Sequence, residues 1–220
     1  MNLDFTKYKH IIWDWNGTLL DDAWLCVEIL NQMLHRRGMK TTTLAEYQRS
    51  FDFPVINYYI NLGFDFDKEP FDNIAREYIY AYESQRCRCH LRENIIDIIK
   101  QLRTRGFLQS VLSASQQSSL IQALEMFGLT GFFENTVGLD DYYAHSKVDA
   151  GRKLLTHLAV GPEKILLIGD TTHDYEVACQ LGADCLLLPA GHQSREKLLA
   201  VGAKVCDGFD EAFKNLFQRR

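Results

Sequence analysis

Apolar positions along this chain follow two rhythms. Short continuous runs bounded by Gly, Ser or Asp alternate with longer stretches in which apolar residues recur every three or four positions. The first rhythm predicts buried strands and the second amphipathic helices. Residues 11–13 (Ile-Ile-Trp) predict the first strand, which runs into Asp14, and Asn16-Gly17 predicts the tight turn that follows. Residues 107–112, 133–139, 164–168 and 184–188 predict four more strands, and Lys204-Val205 a short last one. Helical periodicity fills the intervals at 93–105, 117–127, 147–158 and 175–181, and continues at 196–201 and 210–217. Strands separated by helices imply right-handed crossovers, a mostly parallel sheet and an α/β fold.

Residues 21–88 break this alternation. They carry helical patterns at 21–38, 43–51, 55–62 and 70–86, and no convincing strand. The breaks are Phe51-Asp52-Phe53-Pro54 and Gly63-Phe64-Asp65-Phe66-Asp67. This predicts a small helical subdomain inserted after the first strand, with residues 1–20 and 89–220 forming the main domain. Most aromatics of the insertion are expected in its core; those near 51–54 are candidates to face a ligand.

Composition narrows the function. The 220 residues are 46% hydrophobic, enough for a substantial core, and the net charge of -5 argues against a partner with a phosphate backbone, so no nucleic acid is expected. No apolar run approaches a membrane span, and residues 1–9 lack the apolar segment of a signal peptide. Six scattered cysteines (Cys26, Cys87, Cys89, Cys179, Cys185, Cys206) suit a reduced, cytoplasmic protein. Cys87-Arg88-Cys89-His90 lacks the second ligand pair that a zinc site needs. Oligomeric state has no sequence signature here.

Four predicted strand ends carry reactive groups: Asp14, Ser113, Lys147 after the third strand, and Asp170 with Asp174. In a parallel sheet all carboxyl ends lie along one edge, where such folds bind ligands, so these groups can converge. An Asp beside a bare turn can attack phosphorus or hold a metal. Carboxylates brought together repel unless a cation joins them, and an oxygen-only set with open positions suits Mg²⁺. Each residue also has a structural alternative: a strand–turn–helix junction for Asp14, a helix cap for Ser113, a solvated lysine for Lys147, a first-turn carboxylate for Asp174.

The ordered set carries a resemblance. Asp14-Trp15-Asn16-Gly17-Thr18 resembles the first motif of the haloacid dehalogenase superfamily, Ser113 its second, Lys147 its third, and Gly169-Asp170-Thr171-Thr172-His173-Asp174 its fourth. The resemblance covers nearly the whole chain, and residues 21–88 lie where phosphoglycolate-phosphatase-like members insert a helical cap. It implies a Rossmann-like, doubly wound parallel sheet with strand order 3-2-1-4-5. It also implies a phosphatase acting on a small phosphorylated molecule, such as a phosphoglycolate-like ester or a sugar phosphate. Asp14 would be the nucleophile that becomes an aspartyl-phosphate. Mg²⁺ would be held by Asp14, the main-chain oxygen of Asn16, Asp170 and Asp174. Ser113 with the amides of Ala114 and Gly17 would grip phosphoryl oxygens, and Lys147 would neutralise nucleophile and phosphate together.

The departure from the family pattern is Asn16, where these phosphatases usually have Asp as the acid that protonates the leaving alkoxide. An amide cannot exchange that proton, and such help is worth about 10²–10⁴-fold. Three readings remain open: a slower phosphatase that favours good leaving groups, a stand-in acid such as His173 or His145, or a phosphate-binding protein without turnover. A sugar-phosphate mutase needs the missing acid. A phosphonate hydrolase would need a cap lysine, and Lys40 is the nearby candidate. Arg49, Asp52 and Asn57 are the cap candidates for leaving-group recognition. Gly191-His192-Gln193-Ser194, after the fifth strand, is expected at the core–cap mouth or as a turn with a capping serine.

Overall fold

The computed structural model describes residues 4–139 and 147–218. Its centre is β1 (His10–Trp13), whose four residues are all buried. Ile11 and Trp13 enter one hydrophobic core and Ile12 the other, so the strand is covered on both faces. That explains why it reads as an unbroken apolar run rather than an alternation. Around it lie β4 (Leu108–Gln116), β5 (Asn135–Leu139), β6 (Ile165–Gly169), β7 (Asp184–Leu187) and β8 (Lys204–Val205), in the order β5-β4-β1-β6-β7-β8. Every pairing in this sheet is parallel. This is the expected order, with the short last strand added at the edge.

Helices cover both faces. α5 (Ile95–Thr104), α6 (Gln117–Met126) and α10 (Phe209–Gln218) pack with Ile11 and Trp13. α7 (Lys147–His157), α8 (Thr172–Leu181) and α9 (Arg195–Ala200) pack with Ile12. Between Asp21 and His90 the chain forms α1 (Ala23–Arg36), α2 (Leu44–Ser50), α3 (Val55–Leu62) and α4 (Phe71–Gln85). The Thr43–Glu46 capping box starts α2, and Gly63, at φ +95°, stops α3 in the left-handed conformation that glycine adopts without strain.

Three features differ from expectation. First, the helical insertion enters and leaves through a two-stranded antiparallel clasp, β2 (Leu20–Asp21) against β3 (His90–Leu91). Two-residue strands are too short to show a period. Second, β4 continues through Ser113, Ala114 and Ser115 to Gln116, with its register against β5 shifting between Leu112 and Gln116. Ser113 is therefore a strand residue rather than a helix cap. Third, α8 starts at Thr172, because Thr171 and Asp174 form a capping box.

The insertion is fastened to the main sheet at a second place. Gln48 Nε2 donates to the Gly191 carbonyl at 2.7 Å, and Ser194 N donates to the Gln48 carbonyl at 2.9 Å. The Phe51 carbonyl accepts from Gln193 Nε2 at 3.1 Å and from Lys197 Nζ at 2.6 Å. Among the described residues no helix is long and apolar enough to cross a membrane, and all six cysteines are free thiols.

Candidate active site

Asp14 follows β1 directly, its N–H donating to the Ile168 carbonyl at 2.8 Å, so its side chain projects from the carboxyl edge of the sheet beside β6. Asp170 follows β6, and Asp174 lies in the first turn of α8. Each of the three offers a carboxylate oxygen within 4.8 Å of the others, and all are buried. Lys147, at the start of α7, donates to Asp14 Oδ1 at 2.5 Å and Asp174 Oδ1 at 2.6 Å. The fold thus brings together Asp14, Lys147, Asp170 and Asp174 from three separate crossovers.

One ammonium does not balance three buried carboxylates. Burial pushes Asp14 up to about 8 against the pull of Lys147, with Asp174 and Asp170 adding to the rise. Burial likewise raises Asp170 to about 6, despite His192. Asp174 is also penalised by burial, but Lys147 and the Thr171 hydroxyl hold it below the ordinary carboxylate range. Lys147 is held above its ordinary value: burial opposes its charge, and the two carboxylates override that. A cluster of oxygen donors with surplus negative charge, in a cleft, is what a divalent cation requires. The donor set therefore fits Mg²⁺.

Ser113 is buried beside this cluster, its Oγ accepting from Ser115 N at 3.0 Å, and Ser113 and Ala114 both line the adjoining cavity. The Gly17 N–H, expected to grip a phosphoryl oxygen, donates to Asp22 Oδ1 at 2.7 Å. What position 17 requires is φ +73° and no side chain, since a Cβ there would collide with the Asp170 carboxylate and the His192 ring.

Asn16 is held at both ends of its amide. Nδ2 donates to Asp22 Oδ2 and to the Tyr82 hydroxyl, each at 2.7 Å, and Oδ1 accepts from Ser115 Oγ at 2.8 Å. Asp22 organises this neighbourhood. It precedes α1 but makes no side-chain cap. Its carboxylate instead turns back to accept from Gly17 N, Asn16 Nδ2, Tyr82 Oη (2.6 Å) and His192 Nε2 (3.4 Å). Burial opposes charge on Asp22 and His192 alike, yet each holds the other ionised: Asp22 is lowered and His192 is raised to about 9. The His192 N–H donates to Asp170 Oδ2 at 2.6 Å, and its Nδ1 meets the Tyr47 hydroxyl at 2.9 Å. Sequence reasoning missed Asp22, Tyr82 and Ser115. The flagged stretch 191–194 divides between its two readings: His192 enters the site, while Ser194 caps α9.

His173 lines the same cavity, stacked on Phe53 with ring centroids 4.7 Å apart, and burial keeps it below its ordinary value. His145 lies outside the described residues, as do Asp140 and Asp141, where the third predicted strand was expected to end. Arg49, Asp52, Asn57 and Lys40 are absent from the cavity wall; Asp52 pairs with Lys197 at 2.9 Å instead. The cavity holds about 360 Å³ and opens onto Asp14, with the helical insertion forming its far wall.

An aspartate at a strand tip, a buried carboxylate cluster and a buried lysine lining one cavity are the groups from which a hydrolase site can be built. The family model of haloacid dehalogenase-like hydrolases matches residues 11–188, and the chain belongs to that family. Among curated relatives, a phosphoglycolate phosphatase from Aquifex aeolicus is 27% identical over 197 residues, covering 83% of this chain and 85% of that protein. The pyrophosphatase PpaX of Halalkalibacterium halodurans is 23% identical over 169 residues, covering 74% and 75%. Among solved structures, a haloacid dehalogenase-like hydrolase from Streptococcus pneumoniae (SP0104) superposes with a TM-score of 0.80 at 18% identity, covering 97% of this chain and 100% of that one.

Proposed function

We propose that this hydrolase is a Mg²⁺-dependent phosphatase of small phosphate monoesters that works through an aspartyl-phosphate on Asp14. The observation that carries the reading is the convergence of the Asp14, Asp170 and Asp174 carboxylates at the sheet edge, with Lys147 bonded to Asp14 and Asp174. Asp14, Asp170 and Asp174 would hold the metal, joined by the main-chain oxygen of Asn16. The ion would draw an anionic ester toward an anionic nucleophile and stabilise charge on the phosphoryl oxygens.

The chain's own groups do the rest. Lys147 holds Asp14 Oδ1 and leaves the other oxygen for phosphorus. Ser113 and the Ala114 amide, whose residues line the cavity, would hold phosphoryl oxygens, while the Gly17 amide is already bonded to Asp22. Water then attacks the aspartyl-phosphate, loses a proton, and releases phosphate with the Asp14 carboxylate restored. Closure of the helical insertion, read as a cap over residues 21–88, would exclude water during transfer.

Nothing at position 16 protonates the leaving oxygen, since the Asn16 amide is engaged at both ends. Turnover is therefore expected to favour esters whose leaving group needs no proton. The same observation favours a second reading, a phosphate-binding protein without turnover. The deciding experiment is phosphate release from a phosphomonoester panel with Mg²⁺ or EDTA. Mg²⁺-dependent release that Asp14→Asn abolishes supports the phosphatase. Bound phosphate and Mg²⁺ without release from any ester supports the binder.

A further inference from the structure

Resting on the phosphatase reading, we infer that the leaving group this site accepts is an uncharged aromatic one: the substrate class is small aryl phosphates. Two independent observations converge on it. The first is the cavity wall. Beyond the carboxylates it is built of aromatic side chains from the helical insertion, among them Tyr47, Phe51, Phe53, Tyr59, Phe71 and Tyr78. These rings already stack edge-to-face on one another, as Tyr47 and Phe51 do on Tyr58 and Phe71 does on Tyr59. A further ring finds in such a wall the geometry that aromatic pairs prefer. The volume of about 360 Å³ suits one or two fused rings.

The wall also discriminates by charge. Among its described residues the cations are Lys147, held by Asp14 and Asp174, and His192, held by Asp22. Glu83 adds a carboxylate to the lining, paired with Arg86 at 2.7 Å. The carboxylate of phosphoglycolate, or a second phosphate, would meet no free cation there and would be desolvated against rings. Among the described residues the polar atoms of the lining that lack a partner, Tyr58 Oη and His173 Nε2, are carried on rings.

The second observation is the engaged amide of Asn16. An alkoxide leaves poorly without a proton, whereas a phenoxide is stable enough to depart with the electron pair of the P–O bond and take its proton from water. The balanced reaction is ArOPO₃²⁻ + H₂O → ArOH + HPO₄²⁻. Asp14 forms the new P–O bond as the aryl P–O bond breaks, and water regenerates the carboxylate. An apolar aromatic cavity and a missing acid are thus two halves of one specificity.

The test separates ring recognition from leaving-group chemistry. With Mg²⁺ and the full chain, kcat/KM is measured for 2-naphthyl phosphate, phenyl phosphate, acetyl phosphate and 2-phosphoglycolate. Acetyl phosphate also leaves without a proton but carries no ring. 2-Naphthyl phosphate is expected to exceed acetyl phosphate by at least about tenfold, mostly through KM, and phosphoglycolate by more. Ala75→Trp, which fills the cavity from α4, is expected to cut the naphthyl-to-acetyl ratio about tenfold. Calorimetry on Asp14→Asn with Mg²⁺ should show naphthyl phosphate binding at least tenfold tighter than phosphoglycolate. Acetyl phosphate turning over as well as naphthyl phosphate, or equal binding of the two calorimetric ligands, overturns the inference and leaves the phosphatase standing. Selective ring binding without turnover of any ester sinks the phosphatase, and the substrate class with it, leaving a cavity that only binds aryl phosphates.

Discussion

Asn16→Asp puts back the acid that this family usually carries, and the structure says what that costs. The substituted carboxylate would lie about where Nδ2 now sits, 2.7 Å from Asp22 Oδ2. Two unit charges at that separation repel by about 6 kcal/mol at an effective dielectric constant near 20. The protein has a cheaper option, which is to keep the new carboxyl protonated. Holding a proton at pH 7 on a group that releases it near 3.9 when unfolded costs about 4 kcal/mol. A carboxyl also donates once where the amide donates twice, so the Tyr82 bond is lost, worth about 1 kcal/mol.

The sign follows from a folded-state pKa raised above the unfolded one. The penalty is nearly absent at pH 4 and grows by about 1.4 kcal/mol per pH unit toward pH 7. Urea unfolding of variant and parent, in EDTA, at pH 4.5, 5.5 and 7 reads it directly. A stability difference that stays flat across that range refutes the proposed contact between position 16 and Asp22. Activity should move the other way. A carboxyl kept protonated at pH 7 is a general acid, so the ratio of alkyl to aryl phosphate turnover is expected to rise about 10²-fold.

Lys147→Met leaves three buried carboxylates without their cation; a loss of about 3–5 kcal/mol in EDTA is expected, partly recovered by millimolar Mg²⁺ in a thermal melt. Gly17→Ala forces a left-handed residue to carry a Cβ into Asp170 and His192; a loss of about 2 kcal/mol or more, with phosphate release below a tenth of the parent rate, is the expected result. His10, buried with only Ser110 Oγ as partner, is pushed by burial down to about 4. The unfolded chain takes up that proton first, so stability present above pH 6.5 falls by about 3 kcal/mol as pH drops to 4. His10→Gln should flatten that limb in urea titrations.

The sheet was legible because β1, β6 and β7 are buried on both faces or nearly so and therefore read as plain apolar runs. The reactive strand ends were legible for the same reason: a polar residue that terminates such a run lies at the sheet edge. Other features leave no local trace. The β2–β3 clasp has two residues per strand, below any period. Asp22 reads as a helix-start acid, and its real partners, Tyr82 and His192, are 60 and 170 positions away. Tyr82 belongs to a helix whose aromatic stripe looks like ordinary core. In the structure many such rings do both jobs, since Tyr47, Tyr58 and Tyr59 are buried and also line the cavity. Burial from solvent and exposure to a ligand cavity have the same composition, so the pattern could not separate them.

Among the described residues geometry alone offers two places for a cation: Asp14, Asp170 and Asp174, and Asp22, Cys26 and His192. Charge decides between them. Asp22 already faces a histidine held charged near pH 7 and accepts three further hydrogen bonds, so that pair is neutral and satisfied. A divalent ion there would have to displace His192 from Asp22 and strip the Gly17 N–H of its acceptor. The first group has three carboxylates and one lysine, leaving two negative charges that only an ion or a protonation can offset. Asn16 is bonded to Asp22 of the second group and to Ser115, and makes no side-chain bond to the first. The two groups meet elsewhere, where the His192 N–H donates to Asp170 Oδ2 at 2.6 Å. The charged histidine that satisfies Asp22 is thus also the residue that joins the ion pair to the ion site.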